Sequence, residues 1–374
     1  MKKLLFATCC IAFLSGSLGA AAQKKSAAKN VLTQTLKGKS WSADNGNGTF
    51  TNPLFYDEFS DPDIIRVGED YYLAGTTMHS VPGLVVLHSK DLVNWEFSSY
   101  CFDRFGDSDD FNLRNGKEAY GQGIWAPAIR YHNGKFYIFS NINGHGLQVY
   151  ISDSAKGPWT HHKVNGDIYD LSVLFDEDGK IYAVHKYGNV TVTELKPDLS
   201  GPVEGSSKVV IPEGNAMGEG HHIYKINGMY YILSADYSPM GRMQCARSKS
   251  IWGPYETCVI SERESYGYAA GWSVGNMGIG RPLPEDGFNF QNNKPNGLNL
   301  GCATIHQGGI VQAPDGKWWG VSMQDFNAVG RTVCLSPVTW VDGWPYFGLE
   351  KNLGRSPRTW FKPNDMVKTP QAPY

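Results

Sequence analysis

The feature that most restricts the fold is a turn followed by an aromatic run, repeated five times. It reads Gly68-Glu69-Asp70-Tyr71-Tyr72-Leu73, Asn133-Gly134-Lys135-Phe136-Tyr137-Ile138, Asp178-Gly179-Lys180-Ile181-Tyr182-Ala183, Asn227-Gly228-Met229-Tyr230-Tyr231-Ile232 and Asp315-Gly316-Lys317-Trp318-Trp319-Gly320. Asn-Gly and Asp-Gly are the strongest short hairpin signals, because both central residues of a two-residue turn take positive φ. Each unit therefore carries a hairpin. Further strands follow at 85–89 before Asn94-Trp95, 149–152 before Gly157-Pro158-Trp159, 243–248 before Gly253-Pro254-Tyr255 and 333–336 before Thr339-Trp340. The third unit, with 190–195 and Gly201-Pro202, lacks the closing aromatic.

The second aromatics stand at 72, 137, 182, 231 and 319, spaced by 65, 45, 49 and 88 residues. This brackets the roughly 40–50 residues of a four-stranded propeller blade with insertions. The reading is an all-β chain, a five-bladed β-propeller over residues 51–355. The long fourth interval holds 271–299, rich in Gly and Asn with Trp272, Phe288 and Phe290, and reads as a loop over one face of the disc. Residues 23–50 read as a polar lead-in, and 356–374, with four prolines, as a linker-like tail. The 43 Gly, 11 Trp, 20 Tyr and 17 Phe among 374 residues suit a globular chain with many turns and a large core.

Residues 1–22 combine Lys2 and Lys3, an apolar run over 4–14 and a small-residue end at Ala20-Ala21-Ala22, the pattern of a secretory signal too short to span a bilayer. The expected product is exported, periplasmic or extracellular, with no membrane association after cleavage. Without the leader, 32 basic face 36 acidic side chains, so no positive field is available for nucleic acid. Beyond Cys9 and Cys10 in the leader stand Cys101, Cys245, Cys258, Cys302 and Cys334, an odd and scattered set without metal-ligand spacing. Cys245 and Cys258 are either paired or buried thiols.

Counting back from each second aromatic, by 11 to 13 residues, reaches Asp61, Trp125, Asp170, Glu219 and His306. In a propeller the first strand of each blade lines the axis, so these five positions converge on one volume. Each has a plainer reading: an Asp-Pro turn at Asp61, a turn cap at Asp170, a solvated acid at Glu219, a core Trp125, a satisfied core His306. Separate plain readings leave the shared register unexplained. Three acids crowded near an axis repel one another, a cost borne mainly where shifted proton affinities serve chemistry. Two carboxyl groups flanking a glycosidic bond suffice for hydrolysis, one donating a proton to the leaving oxygen and the other activating water. A third, beside the donor, raises its proton affinity, and Trp125 offers a sugar an apolar face. Gly218 and Gly220 beside Glu219 are expected to admit a substrate closely. The Gly-rich phosphate loop is absent.

These residues resemble glycoside hydrolase family 43. The resemblance rests on 59–68 (FSDPDIIRVG) with Tyr71-Tyr72, Val81-Pro82-Gly83 and 88–95 (HSKDLVNW), Gly123-Ile124-Trp125-Ala126-Pro127, 170–175 (DLSVLF), 218–225 (GEGHHIYK), and 305–309 (IHQGG) with Gly330-Arg331. It implies an inverting five-bladed propeller enzyme with Asp61 as general base, Glu219 as general acid and Asp170 as the acid that tunes and orients Glu219. It further implies Arg331 as a substrate contact and His306 as a ligand, direct or through water, of a central ion, often calcium, and, because many relatives continue into a C-terminal β-sandwich, that such a module is either absent or cut off after Tyr374. The 81–95 block is similar to the exo-acting β-xylosidase and α-L-arabinofuranosidase branch, whose substrates are plant pentosan oligosaccharides and polysaccharides. Endo-arabinanase activity and a non-catalytic sugar-binding propeller are the alternatives. The latter predicts loss of an acid, and all three stand. Retaining fructan-cleaving propellers carry Asn-Asp-Pro-Asn-Gly and Arg-Asp-Pro signatures absent here. Xylose and arabinofuranose are not separated by motif.

Overall fold

The computed structural model describes residues 42–106, 108–215, 217–237, 240–261, 307–325, 331–354 and 359–364. Among these, twenty strands form five four-stranded antiparallel sheets, each made of four consecutive strands in chain order. Blade one is Asp63–Val67, Asp70–Ala74, Gly83–Ser89 and Glu96–Phe102; blade two is Ile124–His132, Lys135–Ile142, Gly146–Ser152 and Thr160–Lys163. Blade three is Ser172–Phe175, Ile181–His185, Val190–Leu195 and Lys208–Ile211; blade four is Glu219–Ile226, Met229–Tyr237, Met240–Ser248 and Glu256–Val259. Blade five is Ile310–Gln312, Trp318–Asp325, Arg331–Val341 and Trp344–Phe347. Inner strands touch those of the next blade from one through four, and the inner strand of blade five touches that of blade one. The radial five-bladed propeller read from the repeat is the fold observed.

The blades stack through apolar faces. Ala74 and Val86 of blade one pack with Ile129, Ile138 and Tyr150 of blade two, and Val184 and Val192 of blade three with Ile223 and Ile232 of blade four. Burying each Val, Ile or Leu contributes about 1.5–3 kcal/mol, so the blade interfaces hold the ring together.

The hairpins follow their dipeptides in two ways. At Asn133-Gly134 and Asn227-Gly228 both residues have positive φ, 48° and 79°, then 51° and 77°. At Asp178-Gly179 and Asp315-Gly316 only the glycine is left-handed, and its N–H bonds the carbonyl three residues back, Asp176 at 3.1 Å and Ala313 at 2.9 Å. These are longer connections ending in a left-handed glycine, the other common hairpin solution.

Closure differs from the expected bounds. Thr49–Thr51 pairs antiparallel with Thr359–Phe361, and Phe50 and Trp360 face each other with no exposure. The Asn52 carboxamide donates to the Leu335 carbonyl at 2.8 Å and accepts from its N–H at 2.9 Å, and Leu54 and Phe59 N–H bond Val333 and Arg331 carbonyls. The end of the lead-in and part of the linker-like tail therefore belong to the propeller, because one buried aromatic in each seals the ring. Trp340 lies inside the third strand of blade five rather than after it.

The expected leader 1–22, most of the lead-in, the expected loop at 271–299, Cys302, His306 and the end of the tail lie outside the described residues. Cys245 and Cys258 are cross-strand neighbours and are thiols, not a disulfide. Among the described residues no helix is long and apolar enough to cross a membrane.

Candidate active site

In three blades the chain enters the inner strand through a bulge that sets two residues against one. In blade one Asp63 pairs with Ala74 while Thr76 N–H bonds the Ser60 carbonyl, so Asp61-Pro62 oppose Gly75 alone. In blade three Ser172 pairs with Val184 and Lys186 N–H bonds the Tyr169 carbonyl, so Asp170-Leu171 oppose His185. In blade four His222 pairs with Leu233 and Glu219 with Ala235, so Gly220-His221 oppose Ser234. The first bulge residue is left-handed each time: Asp61 at φ 53°, Asp170 at 49°, Gly220 at 67°. Asp tolerates this conformation because its short polar side chain bonds locally. Blade two carries its bulge one step away, with Trp125-Ala126 between Ile124↔Ile142 and Pro127↔Ser140.

The counted register thus needs one correction. Asp61 and Asp170 are equivalent, but their counterpart in blade four is Gly220, and Glu219 is equivalent to Tyr169 and Ser60. Counting failed because Tyr182 lies eight residues beyond its ladder partner Leu174, whereas Tyr72 and Tyr231 lie seven beyond Ile65 and Tyr224. Gly220 is also explained differently from the expected close approach of substrate. A Cβ there would lie 2.5 Å from Cγ of Gln307, so the glycine serves the left-handed turn and its contact with blade five.

The three acids are brought together with distinct surroundings. Asp61, only 5% exposed, accepts from Thr76 Oγ1 at 2.7 Å through Oδ2 and from Arg331 Nη1 at 3.4 Å through Oδ1. Asp170 Oδ2 accepts the Gly220 N–H at 2.8 Å, and Asn141 Oδ1 accepts the Asp170 N–H at 3.0 Å. Glu219 Oε2 accepts the Tyr169 hydroxyl at 2.6 Å. Burial, then the charges of Glu219 and Asp61, push Asp170 up to about 8, against the Gly220 N–H and Arg331. Burial also raises Glu219, with Asp61 adding to the effect and Tyr169 and Arg331 opposing it. Asp170 thus keeps its proton into the neutral range, beside a Glu219 whose proton affinity is also raised.

Beneath them a polar network ties blades one to four. Asp63, 1% exposed, accepts from Arg130 and, at 2.9 Å, from the Ile129 N–H; Arg130 also donates to Ser172 Oγ and the Val173 carbonyl. His222 lies between the Gly220 carbonyl, 3.1 Å from Nδ1, and the Pro62 carbonyl, 3.3 Å from Nε2. Its ring bridges the backbone just after Glu219 and just after Asp61.

Trp125 is half-buried and donates its indole N–H to Asn143 Oδ1. Arg331 begins the third strand of blade five, where its N–H donates to Glu58 Oε2 at 2.7 Å while its side chain reaches Glu58 and Asp61. His306, the expected ion ligand, lies outside the described residues, and among the described residues no group of three or more His, Cys, Asp or Glu is placed to hold a metal. Tyr169, Thr76, Asn141 and His222 were missed by sequence reasoning. Tyr169 was legible in principle, as the neighbour of Asp170 at the position Glu219 fills in blade four.

A five-bladed propeller with two buried carboxyls and a half-buried one at the starts of its inner strands defines a class of carbohydrate-acting proteins. The profile of the glycosyl hydrolases family 43 matches residues 50–267, and the chain belongs to that family. It is 32% identical to a putative beta-xylosidase of Xylanibacter ruminicola over 88% of this chain and 57% of that protein. It is 34% identical to a non-reducing end alpha-L-arabinofuranosidase of Bacteroides ovatus over 80% of this chain and 54% of that one. A solved bifunctional GH43-CE structure from Bacteroides eggerthii superposes with a TM-score of 0.69 at 33% identity, covering 84% of this chain and 37% of that one. The chain thus spans a little over half the length of these curated relatives.

Proposed function

We propose that the chain is an inverting exo-glycosidase that removes terminal β-D-xylosyl or α-L-arabinofuranosyl units from plant pentosans, in an exported setting. The observation that carries this reading is the contrast between the carboxyls. Asp61 is bonded by a hydroxyl and a guanidinium, whereas burial raises the proton affinity of both Asp170 and Glu219. The relatives named β-xylosidase and α-L-arabinofuranosidase supply the substrate class.

In this reading Asp61 takes a proton from water as the water oxygen attacks the anomeric carbon. Glu219 gives its proton to the departing glycosidic oxygen, which leaves with the electron pair of the broken C–O bond. Asp170 holds Gly220 by its N–H, and Arg331 sets the position of Asp61. Each of these steps uses side chains of the chain itself.

Initial rates on an aryl β-D-xyloside and an aryl α-L-arabinofuranoside, measured side by side, test the substrate class, and proton NMR of the first-formed sugar tests the stereochemistry. Inverted product from either substrate is expected. A retained anomer at early times, or no turnover of either glycoside, overturns the reading.

A further inference from the structure

We propose that Tyr169 is a positioning residue for the acid, engaging Oε2 of Glu219 so that the transferable proton rides on Oε1. The inference rests on the reading of Glu219 as the general acid. Tyr169 and Glu219 are equivalent residues of adjacent blades, each immediately before a bulge, and three ties hold their segments together. The Tyr169 hydroxyl donates to Glu219 Oε2 at 2.6 Å, the Gly220 N–H donates to Asp170 Oδ2 at 2.8 Å, and His221 Nε2 donates to the Lys186 carbonyl at 2.6 Å. Lys186 in turn donates its N–H to the Tyr169 carbonyl at 3.0 Å. His221 Nε2 carries the ring proton in this arrangement, because it faces a carbonyl, while Nδ1 accepts from Ser234 Oγ at 2.5 Å.

Tyr169 is 46% exposed, so core packing does not account for it. Its hydroxyl is aimed at the acid. A carboxyl whose Oε2 already accepts an O–H presents its own proton from Oε1. As the Oε1–H bond breaks, its electron pair stays on the carboxylate and the proton joins the leaving oxygen. The negative charge spreads to Oε2, where the Tyr169 bond becomes charge-assisted and stronger than in the ground state. An interaction that strengthens along the reaction lowers the barrier. The groups that face Glu219 are Tyr169 and Asp170 ahead of blade three, Asp61 ahead of blade one and Arg331 of blade five. His221, on its own strand, is held neutral by burial, with its affinity lowered to about 4, and Lys186 pairs with Asp167.

The test is Tyr169→Phe beside Glu219→Gln, each assayed from pH 5 to 10 on an activated aryl glycoside and on an alkyl or sugar leaving group, with urea unfolding to confirm the fold. Tyr169→Phe removes a donor that favours the ionised acid, so the alkaline limb of kcat/KM is expected to rise by about half a unit to one unit. The poor leaving group is expected to slow about tenfold and the activated one by about twofold or less. A folded Tyr169→Phe enzyme with an unmoved limb and equal losses on both substrates overturns the proposal. Glu219→Gln that keeps full activity on the poor leaving group overturns the acid reading beneath it, and the two failures are thereby distinct.

Discussion

Arg331 Nη1 lies 3.4 Å from Oδ1 of Asp61, 270 residues away in the chain, so the contact exists only when blade five has closed against blade one. The same side chain meets Glu58 at 3.4 Å, and its N–H donates to the other oxygen of that carboxylate. Closure of the ring and completion of the site are one event.

Arg331→Met is expected to lose both function and stability. It leaves the buried Asp61 with Thr76 as its remaining side-chain donor among the contacts above, and costs about 1–3 kcal/mol. Activity on either aryl glycoside should fall by at least tenfold. Arg331→Lys keeps the charge without the fork and should fall between. Urea midpoints and initial rates on the three proteins check the order, and a Met variant as active as wild type refutes it.

The Asp63 and Arg130 pair makes a purely structural prediction. Arg130→Met strands a fully buried carboxylate with the Ile64 and Ile129 N–H groups and the more distant His222, 3.5 Å away, and should cost about 3–5 kcal/mol. Asp63→Asn combined with Arg130→Met removes both charges and should recover part of that loss. Denaturant unfolding of both single variants and the double variant gives the coupling. Additive losses contradict the pairing.

The repeat made most of the fold legible, since turn dipeptides and aromatic runs are local and each blade is local in sequence. Closure was not legible. Phe50 and Trp360 each stand in polar or proline-bearing sequence, and their burial depends on a partner more than 300 residues away. Within the site the acids could be read from their shared place before an inner strand. The bulge could not, because a two-for-one register appears only when both strands of the ladder are known. The one extra residue in the blade-three hairpin is why Glu219 was grouped with Asp61 and Asp170, and why Tyr169 was passed over.

Gly220→Ala tests the bulge directly. At φ 67° a Cβ is strained, and it would meet Gln307 Cγ at 2.5 Å. A loss of about 1–3 kcal/mol is expected, with a larger relative loss of kcat than of substrate affinity because Glu219 is displaced. Rates and unfolding midpoints decide it, and an unaffected kcat removes the argument.

Asp170→Asn addresses the raised proton affinities. In the wild type burial and the charges of Glu219 and Asp61 raise Asp170 to about 8, and burial raises Glu219 as well. In the variant Glu219 titrates without the Asp170 carboxyl beside it, with Asp61 left as a negative neighbour, while the Asn oxygen still accepts the Gly220 N–H. The alkaline limb of kcat should therefore move to lower pH. Stability has its own sign. A carboxyl whose folded affinity is raised stabilises fully below its unfolded value near 4 and loses that contribution as pH rises through about 8. Wild-type stability should therefore decline from pH 4 to 8, and Asp170→Asn should flatten the decline. Urea midpoints at several pH values, read beside the rate profile, check both signs.

The roles of acid and base separate by leaving group. Glu219→Ala should cost about 10²–10⁴-fold on a natural pentosan linkage, whose departing oxygen needs a proton, and far less on an aryl glycoside that leaves without one. Asp61→Ala should slow both substrates by similar factors, because water must be activated whatever departs. The structural ground for the assignment is that burial raises the proton affinity of Glu219, while both oxygens of Asp61 are engaged by Thr76 and Arg331. Added azide provides a second readout, since a small anion can enter the space left by a missing carboxylate and replace attacking water. It should restore turnover of the aryl substrate in Asp61→Ala. If Asp61→Ala shows the leaving-group dependence and Glu219→Ala does not, the two carboxyls exchange roles.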